Sequence, residues 1–365
     1  MKKNMKLLVI SLCTQGVGVM KEHFIYYCRR FAKKSDLYCI TNDNVTNDDL
    51  HAIETLNVRY VRREPLGYFS PLKIKKILDF INKVNPDIIF VLSHHATNVI
   101  LPTFLNNYKV VYQVHDPDPH LGTSFIERNI LKIQLKRFAK ISRKIIAAAK
   151  SIKETTYEVC KFNKDDIEVI PLAVLDNYID DTIKESDDNI DLLYYGKIRK
   201  YKGLDVFIEA LTILEKENIK PKVKIVGGKD VLEVFPNIDY IPSNVEIEDF
   251  AENKKLISYI KKTKALVLPY HEATGTMAIG QAFYYETPVI ATDVGCFPEY
   301  IGDGGLICKH SDAEDLAKTL KKFLGDKSLQ YSLSKKAKEE YFKKFTIEDV
   351  TDKHLELFER VVNDK

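Results

Sequence analysis

The sequence lacks any apolar stretch approaching the ~20 residues of a membrane-spanning helix. Its formal net charge is only +3, so global charge gives no reason to expect nucleic acid as a partner. The six cysteines show no paired ligand spacing, which is typical of reduced thiols rather than of a disulfide framework or a zinc site. The content of 45% hydrophobic and 29% charged residues is typical of a soluble globular protein. The scattered cysteines favour a cytoplasmic protein, and we expect no metal site.

Two further patterns are missing at the N-terminus. The segment MKKNMKLLVISLCTQG begins like a signal peptide, but its apolar run is short and leads into a glycine loop, so we interpret it as the first strand. Gly16 and Gly18 follow this strand, where a loop can approach a phosphate or simply make a tight turn. Lys21 occupies the third glycine position of a dinucleotide fingerprint, so a nicotinamide-type site is not expected.

Short β-rich runs alternate with helical stretches, which predicts an α/β protein with parallel sheets covered by helices. The length of 365 residues predicts two doubly wound domains, with a cleft at the carboxyl ends of both sheets. The predicted strands are residues 6–12, 36–42, 87–93, 109–116, 144–150, 166–173, 191–196, 222–228, 245–249, 265–270, 288–293 and 305–309.

The domain bounds follow from this pattern. The polar, acidic segment 176–191 predicts a linker, so we expect an N-terminal domain over 1–180 and a C-terminal domain over 188–342. The residue pattern after Gly325 predicts helix, and we expect the segment 343–365 to cross back onto the N-terminal domain. Its apolar residues near helical spacing are Leu355, Leu357, Phe358 and Val361.

Two loops carry the features of a phosphate site. In the C-terminal half, the stretch PYHEATGTMAIGQAF places a polar loop between a buried strand and a helix, so the backbone amides of Gly275, Thr276 and Met277 suit a diphosphate. About seventy residues upstream, GKIRKYKGLD contains two glycines and a basic cluster. Two such loops at one pocket predict a nucleotide-linked substrate, although the cluster KIRKYK is also typical of a solvated loop.

The stretches GKIRKYKGLDVFIEAL, LPYHEAT and QAFYYETPVIATDVGCFPEYI together resemble the nucleotide-binding half of family 4 glycosyltransferases, which have the GT-B fold. The N-terminal half is similar more loosely, through GVGVMKEHF, NPDIIFVLSHH and VVYQVHDPDPH. The resemblance implies two Rossmann-like domains facing a cleft. It also implies sugar transfer from a nucleotide sugar, with retention of anomeric configuration and without a required metal or other cofactor.

The resemblance also implies roles for individual residues. Arg199 and Lys202 would neutralise the departing diphosphate, with Lys197 as a possible substitute for Arg199. His115 would approach the donor sugar, while Gln281 stands where relatives usually have a glutamate that bonds the ribose. Glu272 lies one residue before the first glutamate position of the family.

Other readings of these residues stay open. Glu286, where glycine is common, and the changes at Gln281 and Glu272 are also compatible with a nucleotide-sugar-binding partner subunit that lacks activity. A sugar-nucleotide epimerase on the same fold is a further alternative. His94, His95 and His120 are weaker site candidates, and their spacing does not indicate a metal site.

The sequence also bears on the substrates and on where the protein acts. We expect a UDP- or GDP-linked donor and a glycan or lipid-linked acceptor, in cell-surface polysaccharide synthesis. The helices PLKIKKILDFINKV and FIERNILKIQLKRFAKISRK mix apolar and basic residues, which is typical of core-facing helices with solvated basic faces. The same composition suits peripheral contact with an anionic membrane, at the inner face of the plasma membrane.

Overall fold

The computed structural model describes residues 4–12, 19–42, 45–50, 53–59, 70–118, 125–228 and 231–364. Contacts between these residues group the chain into two compact units. The first unit holds the described residues up to 118, with 125–171 and 347–364, and the second unit holds 172–346. Each unit is built on one parallel sheet.

The first unit contains a seven-stranded sheet in the order β3-β2-β1-β4-β5-β6-β7, and all of its pairs are parallel. Its strands are β1 (Lys6–Ser11), β2 (Asp36–Asn42), β3 (Glu54–Val58), β4 (Ile88–Val91), β5 (Val110–Val114), β6 (Ser142–Ala147) and β7 (Ile167–Val169). Its α-helices are α1 (Val19–Phe31), α2 (Asn47–Leu50), α3 (Pro71–Val84), α4 (Phe125–Ala139) and α5 (Lys150–Cys160), together with the last helix of the chain, α13 (Ile347–Asn363).

The second unit contains a six-stranded parallel sheet in the order β10-β9-β8-β11-β12-β13. Its strands are β8 (Leu192–Tyr195), β9 (Val223–Val226), β10 (Val245–Glu248), β11 (Ala265–Leu268), β12 (Val289–Thr292) and β13 (Gly305–Cys308). Its α-helices are α6 (Leu204–Lys216), α7 (Val231–Val234), α8 (Asn253–Lys262), α9 (Ala278–Tyr284), α10 (Phe297–Ile301), α11 (Ala313–Gly325) and α12 (Lys327–Lys344).

The twelve predicted strands are confirmed, with ends that shift by a few residues. β4 and β11 are continuous apolar runs, and β4, β5, β11 and β12 are buried at every position, as expected for a parallel sheet with both faces covered. The sequence analysis missed β3. Its sequence, ETLNV, is mostly polar, and the strand lies at the edge of its sheet, where little apolar surface has to be buried.

Both sheets have the strand order of a doubly wound fold, so the predicted fold class is confirmed. In such a sheet the chain reverses its winding between two neighbouring strands, and ligands bind at the carboxyl ends of those strands. In the first unit these strands are β1 and β4, and in the second unit they are β8 and β11. The predicted phosphate loops directly follow β8 and β11.

The C-terminal helix α13 completes the core of the first unit. Leu355, Leu357, Phe358 and Val361 are all buried, as expected from their spacing. His354 is also buried, and its ring lies among those of Tyr27, Phe31, Phe90 and Phe358. The first unit therefore draws part of its core from the end of the chain.

Candidate active-site residues at the carboxyl edge of each sheet

In the second unit, the loop after β8 and the loop after β11 meet at the carboxyl edge of the sheet. The backbone N–H of His271 donates to the carbonyl of Tyr201 over 2.7 Å, which ties the two loops together. Gly203 has a φ of 62°, and a Cβ atom placed there would lie 1.8 Å from the carbonyl oxygen of Pro269. Only glycine therefore permits this close approach of the two backbones.

The loop after β12 is joined to the same group. Gly295 has a φ of 50°, and a Cβ atom there would lie 1.6 Å from the carbonyl oxygen of Ala273. That carbonyl accepts a hydrogen bond from the N–H of Cys296 over 3.3 Å. Three loops that are far apart in sequence are thus packed backbone against backbone, which places their side chains and amides around one edge of the sheet.

Lys202 is the most distinctive side chain at this edge. It is largely buried, its Nζ atom lies 5.3 Å from the centre of the Tyr270 ring, and no carboxylate within the described residues pairs with it. Burial, together with the nearby Arg199, lowers the pKa of Lys202. A buried ammonium without a carboxylate is a costly arrangement, and an anionic ligand would compensate it.

The other predicted cations surround Lys202 in sequence and are exposed. The side chains of Arg199 and Lys197 have no hydrogen-bonding or ionic partner among the residues that the structure describes. Lys200, between them and Lys202, is likewise exposed. The short 3-10 helix Lys200–Lys202 places Lys202 at the end that adjoins Gly203.

Gln281 is buried within α9 and both ends of its amide are bonded. Its Oε1 atom accepts from the Tyr195 hydroxyl over 2.8 Å, and its Nε2 atom donates to the carbonyl of Tyr178 over 3.0 Å. The predicted ribose residue therefore also connects β8 to the segment that enters the second unit. Neither tyrosine contact was expected from the sequence, because the three residues are far apart along the chain.

The remaining predicted residues lie in the loop that precedes α9. Thr276 accepts at its Oγ1 atom from the N–H of Ala278 over 3.1 Å, and Met277 is buried. Gly275 and Glu272 are partly exposed in the same loop. Glu286 is found after α9 with a φ of 59°, and its carboxylate pairs with Lys335 over 2.8 Å.

Sequence reasoning missed one side-chain cluster at this edge. The Nδ1 atom of His271 lies 2.8 Å from the Ser311 hydroxyl, and its Nε2 atom lies 3.5 Å from the Asp205 carboxylate. The bond to Asp205 raises the pKa of His271. These residues follow β11, β13 and Gly203, so the cluster stabilises three loops of the edge. Only the position of each residue after a strand or glycine could have indicated it.

In the first unit, a second group of polar residues lies at the carboxyl ends of β1, β4 and β5. The hydroxyls of Ser11 and Ser93 lie 3.1 Å apart. His115 donates from Nε2 to the carbonyl of Leu92 over 2.7 Å, and burial lowers its pKa, so the neutral ring keeps Nδ1 as an acceptor. Among the described residues, nothing bonds to that nitrogen.

Of the weaker candidates, His95 is a buried helix cap. Its Nδ1 atom accepts from the N–H of Thr97 over 3.2 Å, and burial is the main cause that lowers its pKa to about 4. His94 is next to it and only partly buried. Gly16, Gly18 and His120 lie outside the described residues.

Comparison with known proteins agrees with this geometry. The model for glycosyltransferase family 4 matches residues 20–175, and the model for glycosyl transferases group 1 matches residues 178–340. The chain therefore belongs to the family 4 type of glycosyltransferases.

Individual relatives are more distant. The chain is 23% identical to the N-acetyl-alpha-D-glucosaminyl L-malate synthase of Bacillus anthracis, over 79% of this chain and 78% of that enzyme. It is 26% identical to the capsular polysaccharide biosynthesis glycosyltransferase CapM of Staphylococcus aureus, but over only 44% of this chain and 43% of that protein. Anabaena Alr3699/HepE, solved in complex with UDP, has a TM-score of 0.76 at 14% identity, covering 98% of this chain and all of that one. This likeness confirms the GT-B fold.

Proposed function

We propose that the protein transfers a sugar from a nucleotide-sugar donor to a glycan or lipid-linked acceptor, in the synthesis of a cell-surface polysaccharide. The single observation that carries this proposal is Lys202, which is largely buried yet has no carboxylate partner among the described residues. A diphosphate supplies the missing negative charge, and Arg199 and Lys197 add two exposed cations in the same loop.

The proposed chemistry depends on charge that grows during the reaction. As the bond between the sugar and the diphosphate breaks, negative charge accumulates on the diphosphate, which Lys202 and Arg199 stabilise together with the backbone amides of 275–277. No enzymic nucleophile is required. The departing diphosphate takes the proton of the acceptor on the same face of the sugar, so the anomeric configuration is retained.

Two further residues have proposed binding roles. His115 accepts a hydrogen bond from a sugar hydroxyl at Nδ1, because its Nε2 proton is already held by the carbonyl of Leu92. The contacts of Gln281 with Tyr195 and Tyr178 use one lone pair of Oε1 and one N–H of Nε2. The second lone pair and the second N–H of the amide contribute to ribose binding. Glu272 is a partly exposed carboxylate in the loop before α9, and we place it near the donor sugar.

The proposal is tested by ligand-induced stabilisation followed by turnover. The melting temperature is measured with UDP-, GDP- and ADP-sugars, and one nucleotide should raise it in a concentration-dependent manner, because a ligand that binds only the folded state stabilises it. The stabilising donor is then incubated with the protein to measure its hydrolysis. Stabilisation without any turnover, with or without candidate acceptors, would favour the partner-subunit alternative. No stabilisation by any nucleotide would contradict the proposal.

Metal independence is a separate part of the proposal. Lys202 and Arg199 supply the positive charge that a divalent cation supplies in other transferases, so turnover should persist in EDTA. The control is the same reaction with added Mg²⁺ or Mn²⁺. Activity that is lost in EDTA and returns with either ion would show that Lys202 and Arg199 are not sufficient to neutralise the diphosphate.

A further inference from the structure

Exposed apolar side chains are concentrated on one face of the first unit. Helix α3 lies in the connection from β3 to β4, and helix α4 lies in the connection from β5 to β6. Both connections run in the same direction across the sheet. Because such crossovers are right-handed, both helices lie on the same face, and the helix α1, whose crossover runs the other way, lies on the opposite face. The 3-10 helix Leu101–Phe104 lies beside α4, since Arg137 donates to the Thr103 hydroxyl over 2.7 Å.

This face carries five large apolar side chains that solvent reaches. Phe125 is 80% exposed and Ile126 72% exposed at the start of α4, and Leu72 is 73% exposed at the start of α3. The surface is formed by Leu72, Phe104, Phe125, Ile126 and Ile133, and we call it the apolar surface. Five such side chains share this face, and three of them, Phe125, Ile126 and Ile133, lie on the single helix α4.

The same face is strongly basic. Helices α3 and α4 carry four lysine or arginine residues each against one acidic residue each. Among the described residues, several of these cations and the lysine that follows α4 have no carboxylate partner, namely Lys75, Lys76, Arg128, Lys136 and Lys140. The uncompensated charge is complementary to an anionic surface.

Exposed apolar and basic side chains are separated along the length of α4. Ile126 and Ile133 share the solvent side of the helix with Lys136 and Lys140, and its buried side holds Leu135 and Phe138. The apolar end of α4 lies at the carboxyl edge of the sheet, because the helix follows β5, whereas the basic end lies further from that edge. Helix α3 differs, because Ile74, Ile77, Ile81 and Val84 form an ordinary core-facing side and only Leu72 faces outward.

We propose that the apolar surface, with the basic residues around it, binds the surface of an anionic lipid bilayer. The protein would lie on the membrane through this face, with the apolar side chains in the interface and the basic residues at the anionic headgroups. None of the described helices is long and apolar enough to cross a bilayer. Phe125 and Ile126 enter the interface beside the edge that holds Ser93 and His115, where a lipid-linked acceptor can reach the proposed site from the membrane. The inference rests on the proposed function only for this choice of acceptor.

The test is sedimentation of the full chain with vesicles of phosphatidylcholine, with and without phosphatidylglycerol. We expect binding to the anionic vesicles that weakens as salt is raised. The double variant Phe125→Ser/Ile126→Ser should bind at least about tenfold more weakly. Its matched control is Tyr331→Ser/Phe342→Ser, which removes two exposed aromatic side chains from α12 in the second unit and should bind normally.

The charge is tested with a second pair of variants. Lys136→Gln/Lys140→Gln should weaken binding by roughly fivefold for each lysine removed. Lys318→Gln/Lys322→Gln removes two exposed lysines at the same spacing from α11 and serves as the control. All variants alter partly or fully exposed side chains, and their melting temperatures identify any that fold poorly.

The outcomes separate this inference from the proposed function. The proposed membrane binding would be overturned if the protein did not bind anionic vesicles, or if test and control variants lost vesicle binding equally. This holds even if a nucleotide sugar is turned over. Conversely, the protein should bind vesicles without nucleotide, and Lys202→Met should bind them as the wild type does. Selective loss of vesicle binding in the first-unit variants would support the inference even if no donor is found.

Discussion

Lys202 is the residue at which stability and the proposed chemistry oppose each other. Its ammonium group is held near the Tyr270 ring in a largely buried position, and burial lowers its pKa. An apolar side chain of similar length would be better suited to this place when no ligand is bound. Residues that are kept despite such a cost are characteristic of binding and catalytic sites.

The substitution Lys202→Met should therefore raise the free energy of unfolding of the nucleotide-free protein, by roughly 1 kcal/mol. The same variant should lose most of the stabilisation by nucleotide and at least about tenfold in turnover, because the charge is needed most in the transition state. Urea denaturation with and without nucleotide measures both effects.

The matched control is Lys200→Met, which changes an exposed lysine two positions earlier and should leave both quantities near wild type. Arg199→Ala, by contrast, should lose turnover while its stability without ligand stays unchanged, since Arg199 is exposed. Nucleotide stabilisation that survives in Lys202→Met would contradict the diphosphate assignment.

Gln281 permits a prediction that separates binding from structure. Gln281→Ala removes the hydrogen bonds to the Tyr195 hydroxyl and the Tyr178 carbonyl, which should cost about 1–3 kcal/mol of stability. It should also raise the donor KM with a smaller effect on kcat, because the ribose changes little during the reaction.

Tyr195→Phe is the control, since it removes one of the same hydrogen bonds without touching the amide. We expect it to lower stability while the donor KM stays near wild type. If both variants raise the KM equally, the amide acts through the position of the loop and does not itself bind the ribose.

At this scale the sequence indicated the kinds of residue but not their surroundings. The cluster KIRKYK predicted a basic loop, yet nothing in it distinguishes Lys202, which is largely buried without a carboxylate partner among the described residues, from the exposed Lys200. His271 pairs with residues 66 positions upstream and 40 positions downstream, which no local spacing reveals. Such contacts depend on the arrangement of the strands.

Among the larger elements, the loops at the carboxyl edge of the second sheet are positioned by backbone contact. Gly203 begins α6 in a left-handed conformation against the carbonyl of Pro269. Gly203→Ala should therefore cost at least about 2 kcal/mol of stability, since both its φ and its added Cβ conflict with the fold. Urea denaturation measures this cost.

Gly325 provides the comparison for this substitution. It is the last residue of α11, and a Cβ atom there would have no neighbour within 4 Å. Gly325→Ala should be neutral or stabilising by up to about 1 kcal/mol, because it reduces the freedom of the unfolded chain. Similar losses of stability in the two alanine variants would mean that the loops after β8 and β11 do not approach each other as closely as described.

The sequence was most informative about the elements themselves. Buried strands such as β4 and β11 are apolar at every position, so their residues alone identify them. The edge strand β3 is defined by its pairing with β2, and ETLNV has no comparable pattern. Element prediction thus succeeded where burial sets the residue type and failed where only backbone pairing does.

For the molecule as a whole, buried histidines make the two units differ in their response to acid. Burial is the largest cause that lowers the pKa of His95, His115 and His354 in the first unit, to about 4 for His95 and His354. Below pH ~6.5 the unfolded chain binds protons that the folded unit excludes, so stability falls as the pH falls towards 4. His95 and His354 should each contribute up to about 3 kcal/mol to this loss.

The second unit should behave differently. The pKa of His271 is raised by Asp205, so protonation of His271 favours the folded state. Its contribution is present below pH ~6.5 and is lost as the pH rises through the folded pKa. Between pH ~7.5 and ~5, we therefore expect the first unit to lose stability and the second to lose little.

Native thiols can report on each unit. Cys28 and Cys39 are buried in the first unit, and Cys296 and Cys308 are buried in the second. Samples equilibrated in urea at each pH are labelled briefly at one common pH, and labelled peptides are quantified. His354→Phe should reduce the acid sensitivity of the first unit only. Equal acid sensitivity of all four thiols would contradict the assignment.

The uncompensated charge of Lys202 has a consequence for the amount of protein in a cell. If nucleotide binding compensates this charge, it stabilises the folded state, and a larger fraction of the protein is unfolded when the nucleotide is scarce. Proteases act on the open form, so its turnover should quicken when donor synthesis stops. The abundance of the protein would then follow the supply of its own donor without any dedicated regulator.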